Sequence, residues 1–264
     1  MLPVHHLLQL VPNRAKATLD RIQAGIWTHV GVPSCEATAT TEAYIPWSRA
    51  RQLPRKLISR AHVWGRLFDQ RWVRVQLSNK RTKTPLYLEW HDQGEATLYV
   101  EGEPYYGFDV AHRRVALPKD LREVWIECMC CQSAIWHPAA TGLSPDGSRW
   151  EGAALLTRDD EAWQAFHDFQ VLFDLMMYER PRQPSAAPAS LNLFGQQSPL
   201  EKVAPLYRQL LRWLDRACDA YDTSGIAALR RVVADAYRDL SEAHPRLRAR
   251  ITGHAHIDLV WLWP

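Results

Sequence analysis

The sequence predicts an α+β fold with an N-terminal helix, an antiparallel β-sandwich domain and a helical segment after it. Three observations carry this prediction. Apolar residues recur at helical spacing near the N-terminus, alternate with period two in the middle of the chain, and return to helical spacing after residue 158. We therefore divide the chain into residues 1–59 (N-terminal helix and linker), 60–158 (β-sandwich domain), 159–245 (helical linker region) and 246–264.

The N-terminal region, residues 1–59, begins with apolar side chains at helical spacing. They predict a helix from about residue 5 to residue 29: Leu7, Leu8, Leu10, Val11, Ala15, Leu19, Ile22 and Ile26. Pro12 disturbs the start, so we expect regular helix from about Asn13. From Val32 to Arg55 prolines recur and no apolar face is visible, which predicts a long irregular linker.

Alternating runs predict the strands of residues 60–158. They are RWVRVQL, PLYLEWH, EATLYV, EPYYGFD, HRRVALP and REVWIECMCC, with GAALLT as a last strand. Gly102 marks the turn between EATLYV and EPYYGFD. Short strands at roughly ten-residue spacing, with turn residues between them, favour an antiparallel sandwich. Residues 137–151 are rich in Gly, Pro and Ser and predict a loop.

Helical spacing returns in residues 159–245. Asp159 or Asp160 can cap a helix whose aromatic and Met stripe we assign to the core rather than to a cofactor site: Trp163, Phe166, Phe169, Leu172, Phe173, Met176 and Met177. Residues 181–199 are rich in Pro, Ser and Ala and predict a linker.

An αα-hairpin is predicted after that linker. Ser198 and Pro199 form the start signal of its first helix, with Glu201 in the first turn. A second helix begins at Thr223 or Ser224 and runs to about Ala243, before His244 and Pro245 end it.

The composition excludes several classes of protein. The 264 residues have a net charge of +3, with 47% hydrophobic and 23% charged residues, which does not fit a disordered chain. The small charge surplus does not indicate nucleic-acid binding. No run approaches the roughly 18 apolar residues of a membrane span, and the start MLPVHHLLQL lacks the features of a signal peptide. We expect a cytoplasmic protein with no nucleic-acid or membrane partner.

The five cysteines do not form a disulfide framework. Cys128, Cys130 and Cys131 share one apolar run, whereas Cys35 and Cys218 stand alone. Buried, reduced strand cysteines explain this pattern and fit the cytoplasm. Metal binding by CMCC stays open as an alternative, although the run lacks the two-residue gap of zinc knuckles.

The chain is rich in Trp, with 12 residues. Indole rings are large apolar anchors, so we expect most of them in the core or at interfaces. Indoles also stack on sugar rings, and the Trp content therefore favours a carbohydrate protein only slightly.

The chemistry-bearing motif lies in RLRARITGHAHIDLVWLWP, residues 246–264. A strand-like step leads into His254, His256 and Asp258, whose alternation places their side chains on one side of a strand. Imidazole and carboxylate are good ligands for a divalent metal such as zinc. From this pattern alone, a metal site and a buried polar network both stay open.

Two classes of metallohydrolase use similar short motifs. Amidohydrolase barrels carry His-x-His, and the metallo-β-lactamase fold carries His-x-His-x-Asp-His, whereas Leu259 follows Asp258 here. The longer string GHAHIDLVWLWP resembles the first catalytic-domain motif of the α-mannosidases of glycoside hydrolase family 38. The similar branch comprises cytosolic, lysosomal or vacuolar, and bacterial enzymes, whose motif reads roughly GH-x-HIDxAWLWP. Val260 stands where that branch usually has Ala.

A weaker resemblance extends upstream. That branch places an antiparallel β-domain ahead of the catalytic domain, joined to it by a helical segment, and EATLYVEGEPYYGFDVAHRRVALP is similar to that domain. Within it, Gly107, Asp109 and His112 are interpreted as a turn with a local hydrogen-bond network rather than as catalytic groups. The resemblance covers most of residues 60–264 but is specific only in the final twelve.

The resemblance implies roles for residues of the motif. His256 and Asp258 match the family's first zinc ligands, and His254 matches a group that supports a ligand without binding zinc itself. Trp261 matches the Trp that lines the mannose site, although a core role for this indole stays open. Trp263 is assigned to packing.

The resemblance also implies a retaining α-mannosidase, in which one carboxylate attacks the anomeric carbon and another acts as acid and base. In that family the nucleophilic Asp, the acid/base residue and the last His ligand lie well beyond this motif, so we assign no catalytic residue in this chain. Pro264 follows Asp258 by six residues, and two protein ligands do not complete a zinc site. We therefore expect an N-terminal fragment, inactive by itself, that is truncated at the first strand of an α/β catalytic domain (246–264).

The implied substrate is an α-mannoside or an oligosaccharide with terminal α-mannose. The implied cofactor is zinc, and the implied partner is the rest of the catalytic domain. A homo-oligomer stays open. Two alternatives remain: a stand-alone β-sandwich and helical module that binds carbohydrate or a partner without catalysis, and a truncated metallohydrolase of another class.

Overall fold

The computed structural model describes residues 10–77, 84–130, 147–180 and 204–243. It shows an α+β protein in which helices and antiparallel sheets occur together, as the sequence predicts. The elements in chain order are α1 (Val11–Ile26), β1 (Trp27–Gly31), β2 (Ser34–Ala37), α2 (Trp47–Ala50), β3 (Lys56–Leu57), β4 (His62–Trp64), β5 (Gln70–Gln76), β6 (Leu86–Asp92), β7 (Glu95–Val100), β8 (Glu103–Phe108), β9 (Arg114–Ala116), β10 (Glu123–Met129), β11 (Ser148–Arg158), α3 (Asp160–Glu179) and α4 (Pro205–Ala243).

The described residues form two compact units. The helical unit comprises residues 10–27, 159–180 and 204–243, and the sheet unit comprises the described residues between 28 and 158. Within these ranges, no helix combines the length and the apolar content that a bilayer span requires.

The helical unit packs α1, α3 and α4 around one apolar core. Its buried members include Val11, Ala15, Leu19, Ile22, Ile26, Ala165, Phe169, Leu172, Met176, Leu210, Leu214, Ala217, Leu229, Val233 and Ala236. α1 starts at Val11 with Pro12 in its first turn, where a proline is tolerated because that amide would have no helical partner. The predicted extension of this helix to residue 29 is wrong, since β1 begins at Trp27.

α3 confirms most of the predicted stripe. Asp159 is the N-cap, and its carboxylate accepts a 2.9 Å hydrogen bond from the amide of Ala162. Met176 is fully buried, but the assignment of Met177 to the core is wrong, since its side chain is 41% exposed. Consecutive helical residues point about 100° apart, so only one of the two Met side chains faces the core.

α4 is broken at Gly225, whose φ of 74° and ψ of −163° are not helical. The break divides it into arms 205–224 and 226–243. Trp213 on the first arm donates a 2.7 Å hydrogen bond to Asp239 on the second, so the two arms run back along each other. The predicted αα-hairpin is confirmed, and the predicted start at Ser198 and Pro199 lies outside the described residues.

The sheet unit consists of two sheets. One has the order β1-β11-β6-β9, with β4 also paired to β11, and the other has the order β3-β2-β5-β10-β7-β8. The two sheets share an apolar core that includes Val73, Val75, Leu88, Trp90, Leu98, Val124, Ile126, Cys128, Trp150 and Leu155. The strands predicted from alternation are confirmed, and Gly102 occupies the β7–β8 turn with a φ of 93°.

The prediction of an irregular linker from Val32 to Arg55 is wrong in part. β2 lies in this stretch and pairs with β5, with Cys35 opposite Val75, and both its inward side chains are buried. The stretch after β2 lies along β5, where the carbonyl of Ile45 accepts a hydrogen bond from the indole of Trp72. A four-residue strand is too short to show a period in sequence, and pairing to β5 stabilises it.

The predicted loop over residues 137–151 is also wrong at its end. β11 already begins at Ser148, which pairs opposite Trp64 on β4. Residues 137–146, the predicted linker over 181–199 and the predicted start of a catalytic domain at 246–264 lie outside the described residues.

Candidate functional site

The residues of the predicted zinc motif lie outside the described ranges. They are His254, His256, Asp258 and Trp261. The expectations for these side chains therefore stay predictions that depend on the sequence string alone.

The cysteine-rich run is described as far as Cys130. Cys128 and Cys130 are fully buried with free thiols, and burial raises the pKa of each. Cys35 is buried as well, and desolvation raises its pKa to about 12. Thiols of this kind are poor nucleophiles at neutral pH because the thiolate is scarce. Among the described residues, no group of three or more His, Cys, Asp or Glu is placed to hold a metal ion.

The most unusual polar feature of the described residues is a charge inside the core of the sheet unit. Arg71 on β5 is 1% exposed, although its neighbours on the same face are Val73 and Val75. Its guanidinium carbon lies 4.0 Å from the ring centroid of Trp64, which belongs to the other sheet. The side chain therefore crosses from one sheet to the other and makes a cation–π contact there.

Asp92 supplies the opposite charge. Its carboxylate lies 3.7 Å from Nη2 of Arg71, and both side chains are 2% exposed. It also accepts hydrogen bonds from Nε1 of Trp64 at 3.2 Å and from the hydroxyl of Ser148 at 2.6 Å. Ser148 in turn accepts one from the amide of Gly94 at 3.0 Å. Hence β4, β5 and β11 each place one polar side chain around this carboxylate of β6.

We call Arg71, Trp64, Asp92 and Ser148 the core cluster. Burial lowers the pKa of the Arg71 guanidinium, while the thiol of Cys128 and the carboxylate of Asp92 oppose that shift. Within the described residues, Nε and Nη2 of Arg71 have no hydrogen-bond acceptor. A cluster so completely buried offers no route for a substrate to reach the carboxylate, so its role is to join the sheets.

The core cluster is not among the sites predicted from the sequence, although the sequence carries one signal for it. Arg71 stands in phase with Val73 and Val75 in the alternating run RWVRVQL, so it points to the face that those two residues bury. A charged residue in phase with buried apolar ones predicts a partner inside the core. The identity of that partner, Asp92, depends on pairing between strands and is not visible in the local sequence.

The predicted turn is confirmed at Asp109 and His112, but it is wrong for Gly107, which lies in β8 opposite Thr97. The carboxylate of Asp109 accepts hydrogen bonds from the amides of Ala111 and His112 and lies 2.9 Å from Nδ1 of the His112 ring. Burial favours the neutral acid, but the bonds from His112 and Ala111 outweigh it and lower the pKa of Asp109. These contacts occupy the carboxylate within its own turn.

A second surface network lies on β6 and β9. Arg114 donates to Glu89 at 2.6 Å, and Arg113 donates to Nδ1 of His91 at 2.7 Å. Nε2 of His91 lies 3.3 Å from Glu89. Burial alone would raise the pKa of Glu89, but the hydrogen bond from Arg114 outweighs it and lowers this pKa. These groups pair with one another and hold the edge of the sheet in place. They do not form an acid–base pair that is open to a substrate.

Nine of the Trp residues lie in the described ranges, and each of these is buried or half-buried: Trp27, Trp47, Trp64, Trp72, Trp90, Trp125, Trp150, Trp163 and Trp213. The expectation that most Trp side chains serve packing is confirmed for these nine. None of them forms an exposed platform of the kind on which sugar rings stack.

No protein-family model matches this chain. No curated protein matches it either.

Proposed function

We propose that this chain serves a retaining, zinc-dependent α-mannosidase and supplies His256 and Asp258 to its zinc site. The single observation that carries the proposal is the string GHAHIDLVWLWP, whose twelve residues resemble the first catalytic-domain motif of that family. A string of this length combines two donor groups, a flanking Gly and two Trp residues at fixed spacing.

The donor set fits zinc. An imidazole nitrogen and a carboxylate oxygen are ordinary zinc ligands, and a strand would bring His256 and Asp258 to one side. A zinc site takes about four ligands, so the proposal needs further ligands from the rest of the catalytic domain. When bound, zinc would hold hydroxyl groups of the mannose and favour distortion of the ring toward the transition state.

The other residues of the string have supporting roles in this proposal. In a strand, His254 would lie about 7 Å back from His256, which suits it to orient a ligand rather than to bind the ion. Trp261 offers an indole face as the floor of the mannose site. The nucleophile and the acid/base residue would come from the rest of the catalytic domain.

The order of the described units supports the proposal. The resemblance implies an antiparallel β-domain followed by a helical segment, and the sheet unit is followed along the chain by α3 and α4. We assign the sheet unit to that β-sandwich domain and the helices to the segment that leads into the catalytic domain. The free, buried cysteines suit the cytoplasm, where we place the protein.

The alternative of a stand-alone carbohydrate-binding module has less support. Such modules present exposed aromatic rings to the sugar, and the nine described Trp side chains are buried or half-buried.

The proposal is tested on the complete reading frame that contains this chain. His256→Ala and Asp258→Ala should each remove bound zinc and abolish hydrolysis of an aryl α-mannoside, because each deletes one metal ligand. His254→Ala is the matched control and should weaken zinc binding without removing it. Zinc is measured by elemental analysis after dialysis, and hydrolysis by release of the aryl group.

Retention of zinc and activity in both His256→Ala and Asp258→Ala would overturn the proposal. The 264-residue chain alone should bind zinc weakly, because two protein ligands leave the ion largely hydrated. One tightly held zinc in this chain alone would mean that it contains a complete ligand set, which contradicts the site proposed here.

A further inference from the structure

A cleft lies along α4, with a volume of about 480 Å³. Its lining comes from both arms of the hairpin: Arg208, Gln209, Arg212, Trp213, Arg216 and Asp239. We call this group the arginine cleft. It opens to solvent, since Arg212 and Arg216 are exposed and Trp213 is half-buried.

The floor of the arginine cleft is held by hydrogen bonds. Nε1 of Trp213 and Nε2 of Gln209 both donate to the same oxygen of Asp239, at 2.7 and 2.9 Å. These bonds lower the pKa of Asp239, with that from Gln209 the larger cause. The carboxylate thus fixes the indole and joins the two arms.

The arginines form a row on the first arm. Arg208, Arg212 and Arg216 follow one another at intervals of four residues, which corresponds to a rise of about 6 Å per step on a helix. The guanidinium of Arg216 lies 5.1 Å from the ring centroid of Trp213. Within the described residues, none of the three arginines forms a salt bridge. Like charges at this spacing repel, and one carboxylate, that of Asp239, lines the cleft with them.

A second row of like charges on α4 shows how such a row is paired with opposite charges. Further along the first arm, Asp215, Asp219 and Asp222 form an acidic row, and Arg14 on α1 pairs with all three at 2.7 to 2.8 Å. A row of charges on one helix is therefore met in this protein by opposite charges on a second helix. The arginine row carries positive instead of negative charges, so a second helix would have to bring negative charges to pair with it.

We propose that the arginine cleft binds an acidic helix of a partner protein, with carboxylates at intervals of four residues that meet Arg208, Arg212 and Arg216. The repeat of such a helix matches the repeat of the arginines, and the half-buried indole of Trp213 offers an apolar contact beside them. The cleft opens to solvent and three arginines of one helix line it, which suits a helix better than a single small anion.

The chain itself does not supply this acidic row. The segments outside the described ranges contain three acidic residues, Asp146, Glu201 and Asp258, and these fall in three different segments. None of these three segments therefore carries three carboxylates along one helix face.

The probe is a fluorescein-labelled peptide of about 20 Ala and Gln residues with three Glu at four-residue spacing, a length at which a helix begins to be stable. The control peptide has the same composition with the Glu residues off one face. Binding to the whole chain is followed by fluorescence anisotropy at low and raised salt. We expect the aligned peptide to bind more tightly, and raised salt to weaken it.

The decisive variants are Arg212→Glu and Arg231→Glu. Both make the same change of charge on an exposed residue of α4, but Arg231 does not line the cleft. Arg212→Glu should weaken the aligned peptide at least about tenfold, and Arg231→Glu less than about twofold. Arg212→Gln should fall between them, and circular dichroism checks that the helix content is unchanged.

Equal binding of the two peptides, equal loss in the two variants, or no binding at all would overturn the proposal. Sedimentation of the unmodified chain supplies a further check. A dimer that dissociates on Arg212→Glu would assign the cleft to a second copy of the chain and would also overturn it.

Discussion

The helical unit places the ion pairs that join its helices at the surface, whereas the sheet unit buries an ion pair in its core. In the helical unit the core is apolar, and the ion pairs that join α1 to α4 lie at the surface, where the side chain of Arg14 is 34% exposed. In the sheet unit an arginine and an aspartate lie inside the core, each with a side chain only 2% exposed. The contrast shows that arginine and aspartate join helices at the surface of one unit and join sheets inside the core of the other.

The energetic consequences differ accordingly. An exposed ion pair contributes about 0 to 1 kcal/mol and is screened by salt. A buried pair costs desolvation when it forms, so it adds little net stability, but removing one partner leaves the other charge buried without compensation. The two units should therefore respond very differently to the loss of one charge.

The largest effect is expected in the core cluster. Asp92→Ala or Arg71→Ala should each reduce the free energy of unfolding of the sheet unit by about 3 to 5 kcal/mol, because each leaves its partner charge uncompensated. Replacing both, with Arg71→Ala and Asp92→Ala, should cost less than the sum of the single changes. Hydrogen-exchange mass spectrometry resolves the two units by peptide, so the loss can be assigned to β5, β6 and β10.

Additive losses in the double variant would contradict the coupling of Arg71 and Asp92. The variant Ser148→Ala gives a graded comparison. It removes one donor to Asp92 and one acceptor for the amide of Gly94, and should cost about 1 to 3 kcal/mol.

A smaller effect is expected where the helical unit carries its surface charges. Arg14→Ala should cost about 1 kcal/mol because three carboxylates at or near the surface lose a shared partner, and the loss should shrink in raised salt. Lys16→Ala is the matched control on the same helix. Lys16 pairs with Asp20 alone, one turn away, so its removal should be close to neutral.

The pH dependence of the same unit follows from Asp222. Hydrogen bonds from Arg14 and Arg21 lower its pKa below the ordinary carboxyl value. Its contribution is therefore present at neutral pH and is lost as the pH falls below the ordinary carboxyl pKa of about 4 and through the lowered pKa. Unfolding by urea across this range should show a weaker decline in Arg14→Ala than in the unmodified chain, and an equal decline would count against the network.

The smallest effect is expected at the turn of Asp109. Asp109→Ala should cost about 1 kcal/mol, because the amides of Ala111 and His112 lose their acceptor. His112→Ala should stay within about 0.5 kcal/mol, since the two amide bonds remain and only the exposed ring is lost. Thermal unfolding compares the two variants, and a larger loss from His112→Ala would indicate a role for the ring beyond this turn.

The local pattern of apolar and polar residues was sufficient to predict most of the helices and strands. β5, β6, β7, β8, β9 and β10 each followed from alternation, and the capping role of Asp159 followed from its place before an apolar helical stripe. The failures have a common cause. β2 and the first residues of β11 are short or irregular runs that become strands through pairing with β5 and β4, and pairing between distant segments leaves no periodicity in either one.

The sequence by itself determined the α+β class, the faces that the strands and helices bury, and the expectation of a zinc motif at His256 and Asp258. Spacing decides these features, because backbone geometry fixes the side of a strand or helix on which each residue lies. Only the tertiary structure placed Asp92 beside Arg71 and Asp239 beside Trp213. These contacts join residues 21 and 26 positions apart in the chain, and they form because strand pairing and the break at Gly225 bring distant segments together.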